Sequence, residues 1–134
     1  MELQIKIAGI LMILLTLIHV AFPRYFRWEE ELQKLSLINR QMMIVHTFFI
    51  ALVLLMMGLL CFILPHELVN TRLGKIISFG FGIFWTMRLI IQFFGYSIQL
   101  WKGKRFETSV HILFSLLWLY FSVVFFANYL VEEL

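Results

Sequence analysis

Four long apolar segments separated by short polar connections constrain the fold of this chain more than any other feature. They cover approximately residues 5–22, 42–64, 76–96 and 110–130. A helix needs about 20 mostly apolar residues to cross roughly 30 Å of hydrocarbon. Only 14% of the residues are charged, which is too little charged surface for a soluble domain of this size. The sequence therefore predicts an all-α integral membrane four-helix bundle that forms a single transmembrane domain over residues 1–134.

The connection between the first two segments has the pattern of a short amphipathic helix over residues 24–38. Its apolar residues recur at helical spacing and are Tyr25, Trp28, Leu32 and Leu35. Opposite charges four positions apart lie on the other face, as in Arg27–Glu31 and Glu30–Lys34. Pro23 marks the junction with the first segment. We expect this helix to lie in the membrane interface, either as a simple connector or as a lid over a site beneath it.

The basic residues are divided unequally between the two sides of the predicted membrane. The first and third connections contain Arg24, Arg27, Lys34, Arg40, Lys102, Lys104 and Arg105. The other side has Lys6, Arg72 and Lys75, and the chain ends there in the acidic pair Glu132 and Glu133. Lys and Arg accumulate on the cytoplasmic face of membrane proteins. This pattern predicts a bacterial inner (plasma) membrane protein with both termini on the non-cytoplasmic side.

Other surface residues agree with a membrane setting. Four aromatic residues fit an interfacial belt on the cytoplasmic side: Tyr25, Trp28, Tyr96 and Trp101. The basic residues are too dispersed to form a surface that binds nucleic acid. Within the third segment and just before it, Gly74, Gly80 and Gly82 predict close contact with a neighbouring helix.

Three histidines lie near the ends of three different segments, and the alternating topology brings them to the same side of the membrane. His19 precedes Pro23 by four positions and His46 follows Met42 by four, so each lies roughly 6 Å inside the segment end. His111 lies in the first turn of the fourth segment. Ionisable groups at membrane depth cost free energy unless they have partners, which makes these histidines candidates for a functional site.

The third and fourth segments also carry polar stripes. Arg88, Gln92 and Tyr96 are spaced i, i+4, i+8, which places them on one side of a helix. Glu107 and His111 are four apart at the start of a second stripe. Lipid offers polar groups no partner, so both stripes should point into the bundle. Arg88 can extend its side chain toward the membrane surface or pair with an anion. Glu107 is the nearest plausible carboxylate on that side, and Glu29–Glu31 are alternatives.

This set of side chains fits two kinds of cofactor. Neutral imidazoles are common ligands of Zn, Fe and Cu, and three histidines with one open position make a catalytic type of metal site. His19, His46 and His111 would be the ligands, with Glu107 as a fourth. A b-type haem needs one or two axial histidines, and Arg88, Gln92 and Tyr96 would then hold its propionates or an anionic substrate. The alternative without a cofactor is that the histidines have only a structural role and form hydrogen bonds between helices.

The sequence leaves three classes of function open. The first is a cofactor protein for redox or metal-dependent chemistry on a lipid-phase substrate such as a quinone. The second is an accessory or scaffold subunit that binds a membrane protein partner or a second copy of itself. The third is a proton or ion pathway, which is less favoured because only Ser78 and Asn128 continue a polar path through the other half.

Overall fold

The computed structural model describes residues 1–100 and 102–131, except for the side chain of Ile98. Trp101, which we assigned to the aromatic belt, and the acidic pair Glu132 and Glu133 lie outside the described residues. Six helices are numbered in chain order: α1 (Glu2–Tyr25), α2 (Trp28–Glu31), α3 (Leu37–Ile63), α4 (Pro65–Asn70), α5 (Arg72–Phe94) and α6 (Arg105–Leu130). Two 3-10 turns occupy Leu32–Lys34 and Ile98–Leu100. The described residues contain no strand.

Helices α1, α3, α5 and α6 are long and apolar enough to cross a membrane, with lengths of 24, 27, 23 and 26 residues. At 1.5 Å of rise per residue, even α5 is about 34 Å long. In hydrocarbon a backbone must satisfy its own hydrogen bonds, and an apolar segment of this length does so as a helix. The predicted all-α fold with four membrane helices is confirmed, and the chain is an integral membrane protein.

The connection between α1 and α3 is helical but shorter than the predicted 24–38. Helix α1 continues through Pro23 and ends at Tyr25. The break comes at Arg27, whose φ of 53° places a non-glycine residue in the left-handed region. Helix α2 and the first 3-10 turn follow, and Ser36 then caps α3 by accepting a hydrogen bond from the backbone N–H of Asn39 at 3.5 Å. The chain is interrupted first at Arg27 and again before Ser36, so the amphipathic pattern does not form one continuous helix.

The chain divides into two compact units. The first unit is Lys6–Pro65 and contains most of α1 together with α2 and α3. Its two long helices approach to backbone contact at Gly9 and Gly58. A Cβ on Gly9 would lie 2.7 Å from the carbonyl oxygen of Gly58, and one on Gly58 would lie 2.8 Å from that of Gly9. The Thr16 hydroxyl bonds the carbonyl oxygens of Met12 and Ala51 at 3.2 and 3.4 Å, near the same packed face.

The second unit runs from His66 onwards and includes Met1–Ile5. Helices α5 and α6 pack antiparallel through aromatic rings. Trp85 stacks on Trp118 with ring centroids 5.1 Å apart, and Phe79 contacts Phe126 at 5.7 Å. Gly82 lies against the Phe126 ring, so the close contact predicted there is confirmed. The same prediction is wrong for Gly80, where an added Cβ would meet nothing within 4 Å.

Polar side chains tie the short helix α4 and the end of α6 to the start of α5. The side-chain amide of Asn128 donates to the Leu68 carbonyl oxygen at 2.9 Å and to the Ser78 hydroxyl at 2.6 Å. Lys75 donates to the carbonyl oxygens of Asn128 and Val131, both at 2.7 Å. Gly74 is needed here because a Cβ would collide with the backbone of α4. Ser78 and Asn128 therefore join three helices.

Candidate functional site

Arg88 stands between two aromatic rings on the face of α5 that packs against α6. Its guanidinium carbon lies 5.2 Å from the centre of the Trp118 ring and 5.5 Å from that of Tyr96. Its Nη2 atom also donates to the Tyr96 hydroxyl at 3.4 Å. Helix α5 ends at Phe94, so Tyr96 belongs to the following turn and reaches back to Arg88 from there. The aromatic faces attract the cation but do not neutralise it.

Gln92 lies one turn further along α5 and connects both helices. Its Oε1 atom accepts the indole N–H of Trp118 at 3.3 Å, and its Nε2 atom lies 3.1 Å from Nδ1 of His111. Gln92 is 6% exposed and Trp118 is 5% exposed, so these hydrogen bonds are sheltered. The helical spacing predicted from sequence holds for Arg88 and Gln92, while Tyr96 lies beyond the end of α5 and contacts Arg88 from the turn. The structure adds His111 and Trp118 to these residues.

Two buried donors of α5 have no hydrogen-bond acceptor within the described part of the chain. They are Nη1 of Arg88 and Nε1 of Trp85. The two residues are three apart on a helix, which places them on the same face. A buried donor without an acceptor costs about 1–3 kcal/mol, and more when it is charged. We call Trp85, Arg88, Gln92, Tyr96, His111 and Trp118 the α5–α6 polar cluster.

The α5–α6 polar cluster contains a cation and no carboxylate. Across residues 1–100 and 102–131, Lys34 forms an ion pair with Glu31 at 3.5 Å, and Nδ1 of His66 lies 3.5 Å from Oε1 of Glu2. Neither involves Arg88. Glu107, which we expected to be its nearest carboxylate partner, is exposed in the first turn of α6 and does not form an ion pair with it. The cluster thus presents positive charge and N–H donors, which suits an anionic group with acceptor oxygens.

The three histidines occupy different surroundings. His19 is half-buried in α1, where its Nδ1 atom lies 2.9 Å from the Leu15 carbonyl oxygen. His46 is exposed on α3. His111 contacts Gln92 and meets the Phe93 ring edge-on with centroids 5.8 Å apart. The described residues contain no group of three or more His, Cys, Asp or Glu side chains placed to hold a metal ion. The ligand set of His19, His46, His111 and Glu107 stays a prediction.

Sequence reasoning did not single out Trp85. It lies three residues before Arg88 and seven before Gln92, so its helical position was a signal that it shares their face. Lys75 was counted only as a charge for orientation, yet it bonds the carbonyl oxygens at the end of α6. Both residues make their contacts with α6 or with its end, and the spacing of residues within α5 does not predict those contacts.

The fold is that of a small polytopic α-helical membrane protein, in which a cluster of polar side chains lies between two of the long apolar helices. Comparison with protein-family models, with curated proteins and with solved structures finds no match to this chain. The assignment of a function therefore rests on the residues themselves.

Proposed function

We propose that this protein binds an anionic lipid-phase ligand, with its negatively charged oxygens held by the α5–α6 polar cluster. The observation that carries the proposal is the pair of buried donors, Arg88 Nη1 and Trp85 Nε1, which lack an acceptor among the described residues. A carboxylate accepts hydrogen bonds at two oxygens and supplies the charge that Arg88 requires.

Charge favours an acid over a neutral carbonyl compound such as a quinone. A guanidinium in a low-dielectric setting is costly unless an anion accompanies it. The Trp118 and Tyr96 rings offset part of this cost, and the Tyr96 hydroxyl accepts from Nη2, but Nη1 of Arg88 has no acceptor among the described residues. The preferred ligand therefore carries a carboxylate on an apolar body, such as a long-chain fatty acid or a cofactor with an acidic side chain.

A b-type haem meets the same description through its propionates. The unsatisfied donors of Arg88 and Trp85 fit a propionate, and the histidines predicted from sequence would be its axial ligands. A bound haem would supply one-electron redox chemistry for a lipid-phase partner such as a quinone. The chain's own part would be to hold the propionate and to shelter it from water.

A binding comparison tests the proposal directly. The full chain, purified in mild detergent, is titrated with labelled oleic acid and with methyl oleate, which has the same acyl chain without the charge. We expect the acid to bind roughly tenfold more tightly than the ester, equivalent to about 1.4 kcal/mol. Arg88→Gln should reduce acid binding to the level of the ester. Equal binding of acid and ester by the wild type would contradict the proposal.

Matched variants separate the site from general charge effects. Arg72→Gln removes an exposed arginine from the first turn of the same helix and should leave the preference for the acid unchanged. Trp85→Phe keeps an aromatic ring but removes the buried N–H, and should weaken acid binding less than Arg88→Gln.

An absorption spectrum and elemental analysis of the same samples identify the cofactor. A Soret band lost in Arg88→Gln would support haem, and a stoichiometric metal lost in His46→Ala would support the metal centre.

The orientation is part of the same proposal. The excess of Lys and Arg in the first and third connections supports a cytoplasmic location for them in a bacterial inner membrane. Both termini would then face away from the cytoplasm. Single cysteines placed at residue 3 and in the α2 segment of a Cys61→Ala chain should react oppositely with a membrane-impermeant thiol reagent applied to intact cells. Labelling of the α2 cysteine but not of the cysteine at residue 3 would show the opposite orientation.

A further inference from the structure

A cleft of mixed charge lies where α1 gives way to α2. It has a volume of about 400 Å3 and is lined by Pro23, Arg24, Arg27, Glu29, Glu30 and Gln33. The lining thus provides two guanidinium groups, two carboxylates and one amide within a short stretch of chain. This segment is separate from the α5–α6 polar cluster, and the proposed function makes no use of it.

The opposite charges that line this cleft do not form ion pairs with one another. Among the described residues, no ion pair within 4.0 Å joins Arg24 or Arg27 to Glu29 or Glu30. The nearby pair Lys34–Glu31, at 3.5 Å, shows that charges of this segment can pair when the geometry allows it. The cleft therefore keeps both cationic donors and anionic acceptors available to a ligand that itself carries both charges.

The backbone holds this arrangement at a cost. Arg27 has a φ of 53°, a backbone conformation that is unfavourable for most residues other than glycine. The turn is closed by the Arg27 N–H, which donates to the Arg24 carbonyl oxygen at 3.3 Å, and the Arg27 carbonyl oxygen accepts from Glu31 at 2.9 Å. A strained residue that is held in place this way, with its side chain lining a cleft, suggests a binding role.

The position of the cleft identifies the source of the ligand. It lies between the end of one membrane helix and the start of the next, beside the exposed aromatic residues Tyr25 and Phe26. Aromatic residues at such a junction sit at the level of the lipid headgroups. A zwitterionic headgroup at that level brings a phosphate for the arginines and an ammonium for the glutamates.

We propose that this cleft binds the headgroup of a phospholipid with a primary amine, as in phosphatidylethanolamine. Arg24 and Arg27 hold the phosphate, because guanidinium groups match its oxygens in charge and geometry. Glu29 and Glu30 accept hydrogen bonds from the ammonium. A choline headgroup has no N–H to donate, so the carboxylates distinguish it from ethanolamine.

The test compares headgroups on one acyl chain composition. The full chain is reconstituted in nanodiscs of a neutral lipid, and bound lipid is measured by native mass spectrometry after addition of phosphatidylethanolamine, phosphatidylcholine or phosphatidylglycerol. We expect roughly tenfold enrichment of phosphatidylethanolamine over phosphatidylcholine, the effect of one charge-assisted hydrogen bond. Equal retention of the two lipids, or preference for phosphatidylglycerol, would overturn the proposal without any variant being needed.

Two double variants test which residues bind the phosphate and which bind the ammonium of the headgroup. Glu29→Gln with Glu30→Gln should abolish the preference for ethanolamine over choline, while Arg24→Gln with Arg27→Gln should weaken retention of both lipids. The matched control is Glu31→Gln with Lys34→Gln, which changes a carboxylate and a cation of the same segment that do not line the cleft. An equal loss in the control would overturn the assignment. Displacement of the lipid by soluble glycerophosphoethanolamine at low concentration would overturn the membrane source of the ligand.

Discussion

Trp118 donates its indole N–H to Oε1 of Gln92 over 3.3 Å, so a buried hydrogen bond joins α6 to α5. The bond also fixes which way the Gln92 amide points. With Oε1 turned toward Trp118, Nε2 faces Nδ1 of His111 at 3.1 Å and must donate to it. His111 therefore accepts at Nδ1 and carries its ring proton on Nε2. The buried donors without an acceptor in the described part of the chain remain Arg88 Nη1 and Trp85 Nε1.

This hydrogen-bond order predicts the tautomer of His111. Solid-state NMR of the chain, labelled with 15N-histidine in lipid, should show an unprotonated Nδ1 and a protonated Nε2 at neutral pH. Trp118→Phe removes the donor that fixes the amide, so the tautomer preference should be lost in that variant. His46, which is exposed on α3, serves as the internal comparison. Observation of the opposite tautomer in the wild type would refute the proposed order.

The glycines of α5 provide a test of the packing against α6. In Gly82→Ala the new methyl group would lie 2.8 Å from ring carbons of Phe126, so either that ring or one of the two helices must shift. We expect a loss of about 1–3 kcal/mol in the free energy of unfolding, the usual cost of overpacking. Gly80→Ala is the matched control, because its Cβ meets nothing within 4 Å, and alanine should stabilise the helix by about 0.5–1 kcal/mol. Steric trapping in bicelles measures both, and equal effects would exclude the observed register.

Lys75 stabilises the end of α6 from the first turn of α5. Its ammonium donates to the carbonyl oxygen of Asn128, in the last turn of α6, and to that of Val131, the residue after the helix, where the helix dipole is negative. Lys75→Met should lower the free energy of unfolding by about 1–2 kcal/mol. Arg72→Met removes a nearby exposed cation and should change it by no more than about 0.5 kcal/mol. If the two variants are equally stable, the Lys75 contacts contribute nothing measurable.

Arg27 should show opposite effects on stability and on lipid binding. Glycine accepts a φ of 53° without strain, so Arg27→Gly should raise the free energy of unfolding by up to about 1 kcal/mol. The same change removes one phosphate ligand from the cleft and should reduce lipid retention. Arg24→Gly, within the last turn of α1, should instead lower stability by about 0.5–1 kcal/mol. Thermal unfolding followed by circular dichroism compares the two, and a destabilised Arg27→Gly would show that the side chain has a structural role.

Part of the candidate site could be read from spacing along one helix. Arg88 and Gln92 share a face because they are four residues apart, and their polarity predicts that this face meets another helix. The spacing did not predict the partner. Arg88 lies over Trp118 and does not pair with Glu107, since the antiparallel register of α5 and α6 decides which turns are adjacent. The stripe predicted from sequence holds for Arg88 and Gln92, whereas Tyr96 lies beyond the helix and Glu107 forms no ion pair with Arg88.

The sequence by itself determined the class of this protein. Each of its four long apolar segments must satisfy its backbone hydrogen bonds internally in hydrocarbon, and a helix is the local solution, so length and hydropathy were sufficient. The tertiary structure decided the rest. It distinguished Gly82 from Gly80, paired Gln92 with Trp118, and broke the first connection at Arg27. These features depend on distances between side chains and backbone from different turns and helices, and a one-dimensional pattern of residue types does not contain such distances.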